Sequence, residues 1–177
     1  MSDLADSPAA TDLPIIELAD KQSFRDGMSC LVGAVNIVTT DGPGGRAGFT
    51  ATAVCSVTDE PPTLLVCVNR SSSAAPAFLQ NDSICVNTVG PKHAEIAMLF
   101  GGKTPMQERF ADVAWRKSAR TGAPVLDETV ATFDCKVSAR QVVGTHEVIF
   151  CQVVEARSDA TSPASAYFGR KFHELTA

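Results

Sequence analysis

Residues 48–69, GFTATAVCSVTDEPPTLLVCVN, decide how this chain is read. The first half alternates: Phe49, Ala51, Ala53, Cys55 and Val57 point one way in an extended chain, and Thr50, Thr52, Val54 and Ser56 the other. A period of two is the mark of a strand, so residues 48–57 are expected to form one. Pro61 and Pro62 stop its pairing, and TLLVCV returns as a strand apolar on both faces. The hydroxyl-bearing face has small hydrogen-bonding groups and no long charged side chain. It therefore reads as a surface against which something lies. Asn69 ends the second strand, and Arg70, Ser71, Ser72 and Ser73 follow at once.

Working outward, DKQSFRDGMSCLVG spaces Phe24, Met28, Leu31 and Val32 as on a helix, with Asp20 as its cap. AVNIVTT is β-branched and leads into DGPGGR, whose glycines and proline suit a hairpin loop. That loop lies between two strands, so it is not a phosphate loop. SAAPAFLQND is expected as a short helix, SICVNTV as a strand, and AEIAMLFGG as a helix ended by glycine. Residues 103–124 have no regular period and contain Arg109, Phe110 and the single tryptophan, Trp115. Two long β segments, TVATFDCKVSARQVV and HEVIFCQVVEAR, are separated only by Gly144 and Thr145, and AYFGRKFHEL closes the chain. Many short strands without a βαβ rhythm point to a mainly β fold, an antiparallel barrel with a few peripheral helices.

The 177 residues suffice for one domain, expected over 17–177, with residues 1–16 as a flexible tail rich in Ser, Ala, Asp and Pro. A net charge of −5 leaves no basic stripe for a non-specific grip on nucleic acid. No apolar run reaches the ~18 residues that span a bilayer. The acidic N-terminus lacks the pattern of a secretory signal, and the expected compartment is the cytoplasm. The six cysteines form no C-x-x-C pair, and five sit in apolar runs, so buried free thiols in a reducing compartment are expected. His93, His146 and His173 lack ligand spacing, and no metal site is expected. Dinucleotide, P-loop and serine-elbow motifs are missing, so any nucleotide would sit on a fold of another kind.

Four stretches together carry a resemblance: FRDGMSCLVGAVNIVTTDGPGGRAGFTATAVCSVTDEPPTLLVCVNRSSS, LFGGKTPMQERF, FDCKVSARQVVGTHEVIFC and YFGRKFH. In consistent order from about Phe24 to Leu175, the chain resembles the short-chain flavin reductases, the NAD(P)H-dependent reductase components of two-component flavin monooxygenases. Within that family it resembles the reductases of the pyrimidine-utilisation pathway and of 4-hydroxyphenylacetate 3-monooxygenase. The resemblance implies a split antiparallel β-barrel, a homodimer, and a flavin (FMN usually, FAD in some) near the subunit interface. It implies that Thr50, Ala51 and Thr52, with Cys55, Ser56 and Val57, meet the flavin ring. Asn69, Arg70, Ser71, Ser72 and Ser73 would meet the ribityl chain and phosphate. Phe100, Lys103 and Arg109 would lie near the same pocket.

His146 matches the family's Gly-Asp-His or Gly-Thr-His and would face the nicotinamide side. Thr145 stands where many members have Asp, which removes an acidic partner for that imidazole. Tyr167, Arg170 and Phe172 would cover the nicotinamide or meet its pyrophosphate, or else form a last strand sealing the barrel. The implied activity is reduction of FMN or FAD by NADH or NADPH, NADH being favoured by the acidic balance. Reduced flavin would pass by diffusion to a partner monooxygenase. A flavin-binding carrier or sensor without reductase activity is the alternative.

Overall fold

The computed structural model describes residues 16–176. Helix α1 (Lys21–Ser29) is capped by Asp20, whose carboxylate accepts from the backbone N–H groups of Gln22 and Ser23, as the sequence predicts. The body then runs through β1 (Gly33–Ala34), β2 (Asn36–Thr40), β3 (Ala47–Ala51), β4 (Val54–Asp59), β5 (Pro62–Asn69), α2 (Ala75–Gln80) and β6 (Ser83–Thr88). A 3₁₀ turn at Pro91–His93 leads into α3 (Ala94–Gly101), and a second lies at Glu108–Phe110. Strands β7 (Trp115–Lys117), β8 (Pro124–Leu126), β9 (Ala131–Val143), β10 (His146–Ser158), β11 (Ala164–Phe168) and β12 (Lys171–Leu175) complete the fold. The expected tail, residues 1–16, lies outside the described residues except for Ile16.

The chain is mainly β. One seven-stranded antiparallel sheet runs in the order β3-β2-β6-β9-β10-β5-β4. Here the first expectation is corrected: residues 48–57 are two strands, broken at Thr52 and Ala53, and they occupy opposite edges of the sheet. If the sheet were flat, six strand spacings would separate those edges by roughly 29 Å. The chain from Ala51 to Val54 reaches at most about 11 Å. The sheet must therefore curl until its two edges approach at this corner. Bulges at Phe150/Cys151 and Val153/Glu155 in the β9–β10 pair supply bends in its two longest strands. Alternation alone could not reveal the break, because both strands share one period.

The curl encloses a core of Val38, Val66, Val68, Phe78, Ile84, Val86 and Ile149, with Phe49 edge-on to Phe78 at 5.0 Å between ring centroids. On the outer side of β2, α3 and the 103–124 segment cover Val35, Ile37, Val89, Phe100, Phe110 and Leu126. Every residue of β2 is buried, so its polar groups need partners. Thr39 Oγ1 donates to the Pro124 carbonyl (2.5 Å) and Thr40 Oγ1 to that of Ser83 (2.6 Å). Asn87, fully buried on β6, donates to the Ile37 carbonyl (2.9 Å) and accepts from the Leu126 N–H (2.9 Å). The bonds to Pro124 and Leu126 dock β8 on the sheet.

The C-terminal hairpin β11–β12 pairs with β1 in a separate three-stranded sheet and seals no edge of the main one. It tethers α1, which buries no residue of its own, through Gly169 N–H to the Ser29 carbonyl (2.8 Å) and Arg170 to Asp26 (2.5 Å). Cys85, Cys135 and Cys151 are buried as expected, and burial pushes the Cys151 thiol up to about 12. Cys30 and Cys55 are exposed instead; Cys55 falls on the edge strand created by the corner.

Gly48 sets how closely α3 approaches β3. A Cβ there would sit 2.5 Å from Phe100 Cε1 and 3.2 Å from the Val38 carbonyl, with backbone on one side and a fully buried ring on the other. Gly48→Ala should destabilise the fold by about 1–3 kcal/mol through overpacking. Denaturant melts check this; an unchanged midpoint would show that Phe100 shifts freely.

Candidate functional site

The corner at Thr52 and Ala53 borders a groove of about 540 Å³. It is lined by residues 49–53 from β3 and the corner, Cys67 and Asn69 from β5, and residues 72–74 from the turn before α2. Residues 100–103 at the end of α3, Arg109 and His146 complete it. The curl that joins the two sheet edges thus also brings four separated segments together. Antiparallel pairing of β5 with β10 sets Asn69 opposite His146. Gly101 and Gly102, quoted within the LFGGK motif but given no role there, keep the wall beside Thr50 free of side chains.

Of the residues expected at the ring, Thr50, Ala51 and Thr52 line the groove. The Thr50 hydroxyl donates to the Ala97 carbonyl (2.6 Å), so it fastens β3 to α3 and faces a ligand as an acceptor. Thr52 is exposed. Cys55, Ser56 and Val57 do not line the groove, because the chain has turned the corner and they pair along or flank β5 on the exposed far edge. Phe49, Ala53, Cys67 and Ala74 line it without having been anticipated. Cys67 carried no signal beyond an apolar run, and burial raises its thiol pKa, which opposes thiolate chemistry.

The segment expected at a phosphate arm forms a tight turn. Asn69 Oδ1 accepts from Ser71 N–H (3.0 Å) and Ser71 Oγ (2.8 Å), and Ser72 N–H donates to the Asn69 carbonyl (2.9 Å). Asn69, Ser72 and Ser73 reach the groove. Ser72 Oγ is buried and has no hydrogen-bond partner among the described residues. Arg70 and Ser71 line a neighbouring depression with Lys21, Phe24, Arg25 and His146, and Arg70 lies 3.8 Å from the buried Glu147 carboxylate. Phe100, Lys103 and Arg109 are all in the groove.

His146 borders both the groove and that depression. Its Nδ1 lies 3.0 Å from Thr145 Oγ1, so a neutral hydroxyl fills the place of an acidic partner. Tyr167 and Phe172 stack edge-on at 5.5 Å between centroids. They line a recess of about 300 Å³ that shares Thr50, Ala51, Thr52, Gly101 and Gly102 with the main groove. Arg170 stands farther out, beside Tyr167, Thr52 and the residues of α1. The arrangement offers a groove with small residues along one wall, hydroxyls with Lys103 and Arg109, and an adjoining aromatic recess. Among the described residues, no carboxylate lines the groove.

Comparison with known proteins gives this geometry its family. The flavin reductase like domain matches residues 28–176. FMN reductase (NADH) RutF of Pseudomonas syringae pv. syringae (strain B728a) is 56% identical over 163 residues, covering 92% of this chain and 90% of that protein. Among solved structures, BorF, the flavin reductase component of a bacterial two-component tryptophan halogenase, superposes with a TM-score of 0.82 at 26% identity, over 89% of this chain and 99% of that one. Nitrilotriacetate monooxygenase component B from Mycobacterium thermoresistibile does so with a TM-score of 0.80 at 25% identity, over 88% and 86%. The chain belongs to the flavin reductase like domain family.

Proposed function

We propose that this protein is an NADH-dependent FMN reductase that transfers a hydride from NADH to FMN and supplies reduced flavin to a separate monooxygenase. The observation that carries the reading is the groove at the sheet corner. Its volume, about 540 Å³, falls in the range of small-molecule and cofactor sites. The unpartnered Ser72 hydroxyl, beside Ser73, Lys103 and Arg109, suits an anionic group with several acceptor oxygens, as a flavin phosphate has. FMN and NADH stand in the name of the 56% identical relative, and the neighbouring structures include reductase components of two-component enzymes.

Bound together, FMN and NADH carry the hydride chemistry themselves. That accounts for a groove whose described lining includes no carboxylate. The chain's task is to hold two planar groups in close register. Residues 50–53 and Gly101 leave room for a ring, with Cys55, Ser56 and Val57 flanking it beyond the corner. Asn69, Arg70, Ser71, Ser72 and Ser73, with Lys103, hold the polyol and phosphate. Phe100 backs the groove. His146, Tyr167, Phe172 and Arg170 position the nicotinamide nucleotide on the remaining side.

The curled sheet, with two edges that meet at one corner yet form no ladder, is read as the family's split barrel. The working form is read as a homodimer of the 17–177 domain in the cytoplasm. Phe24, Leu31 and Val32 support the dimer, being 62%, 61% and 66% exposed on and after a helix that buries nothing within its own chain. Free cysteines suit a reducing compartment.

Purified protein given FMN should oxidise NADH, followed by loss of nicotinamide absorbance. A protein that binds FMN yet leaves NADH untouched would be a carrier, and the enzyme reading would fail. His146→Ala should raise KM for NADH about tenfold while changing FMN affinity by less than about twofold. An equal loss of both would remove His146 from the nicotinamide side. Light scattering should give twice the 18.6 kDa of one chain, and a monomer would refute the dimer.

A further inference from the structure

We infer that Arg109 is a positioning residue for the phosphate arm of the flavin, acting through the hydroxyl of Ser73; this rests on the flavin reading above. Arg109 is 3% exposed and uses its whole donor fork. Nε donates to the Thr104 carbonyl (3.0 Å), and Nη1 to the carbonyls of Gly48 (3.0 Å) and Phe100 (2.9 Å). Nη2 donates to the Gly102 carbonyl (3.0 Å) and to Ser73 Oγ (3.2 Å). Four acceptors are backbone; Ser73 is the only side chain among them.

Two features go beyond a structural brace. First, no ion pair among the described residues includes Arg109. Among the described residues its hydrogen-bond partners are carbonyl dipoles, two of them at the C-terminal end of α3, and the Ser73 hydroxyl. A brace has no need of a charge, since neutral donors satisfy carbonyls at a smaller desolvation cost. An anion in the adjoining groove gives that charge a use.

Second, the bond from Nη2 dictates what Ser73 can do. A guanidinium only donates, so the Ser73 oxygen must accept, and its own proton is left to be given elsewhere. Ser73 makes no other side-chain hydrogen bond among the described residues, and it lines the groove. Its O–H is polarised by the cation behind it and is available toward the groove. Ser72, next in the chain, brings the unpartnered buried hydroxyl, and Lys103 a further cation. Arg109 thus converts Ser73 from an indifferent hydroxyl into a committed donor for a phosphomonoester dianion.

The test compares binding of FMN with that of riboflavin, which lacks the phosphate, by quenching of flavin fluorescence. The native protein should prefer FMN. Ser73→Ala should reduce that preference about tenfold, the effect of one hydrogen bond to a charged group, with riboflavin affinity unchanged; Ser73→Thr should restore it. Arg109→Lys, which keeps the charge but loses the fork, should cost about as much alone and less than about twofold more when added to Ser73→Ala. An unchanged preference in Ser73→Ala, or losses that multiply in the double variant, would overturn the inference. If melting shows that Arg109→Lys does not fold, the contrast of Ser73→Ala with Ser73→Thr decides it. Native protein that binds both flavins equally defeats this inference alone, whereas native protein that binds neither defeats the flavin reading itself.

Discussion

Two residues, Thr52 and Ala53, join strands at opposite edges of a seven-stranded sheet, and most of the architecture follows from the shortness of that link. A chain that short cannot cross a flat sheet, so the sheet curls. The curl buries Val38, Val66, Val86 and Ile149 on its inner side. At the corner the two edge strands come close without pairing. Main-chain groups and small side chains are left beside an open groove where a continuous ladder would have closed it.

The polar interior does a second job, which is to hold irregular backbone against that sheet. Asn87 and Thr39 bond β8, through Leu126 and Pro124, to the inner strands, and Arg109 gathers the carbonyls of Gly48, Phe100, Gly102 and Thr104 into one cluster. Each of these groups is buried with its hydrogen bonds made, as buried polar groups must be. The exception near the groove is Ser72, whose hydroxyl is buried without a partner. A site that receives a ligand is where such a gap is expected, because the missing partner arrives from outside.

Much of this was legible in the residues. The Asp20 cap, the hairpin at DGPGGR and the long hairpin around Gly144 and Thr145 depend on short-range chemistry and appear where expected; the turn falls at Glu60 and Pro61, and Pro62 already pairs with Asp59. The site was partly legible: Thr50, Ala51, Thr52, Asn69, Ser72, Ser73, Phe100, Lys103 and His146 converge on one groove. Cys55, Ser56 and Val57 do not, because the chain turns a corner that alternation cannot register. Thr50 keeps its place, but its hydroxyl proton goes to a helix whose packing no local pattern records.

By itself the sequence determined which segments are extended and which helical, where the chain turns, and which residue types were available to meet a ligand. Those are consequences of backbone preference and of a period of two or of 3.6. The tertiary structure decided that one alternating run would serve two edges, and that Arg109 would stand behind Ser73. It also placed His146 beside Asn69 at the groove. Each of those depends on contacts between residues far apart in the chain, where geometry set by the curl, and no local preference, selects the neighbour.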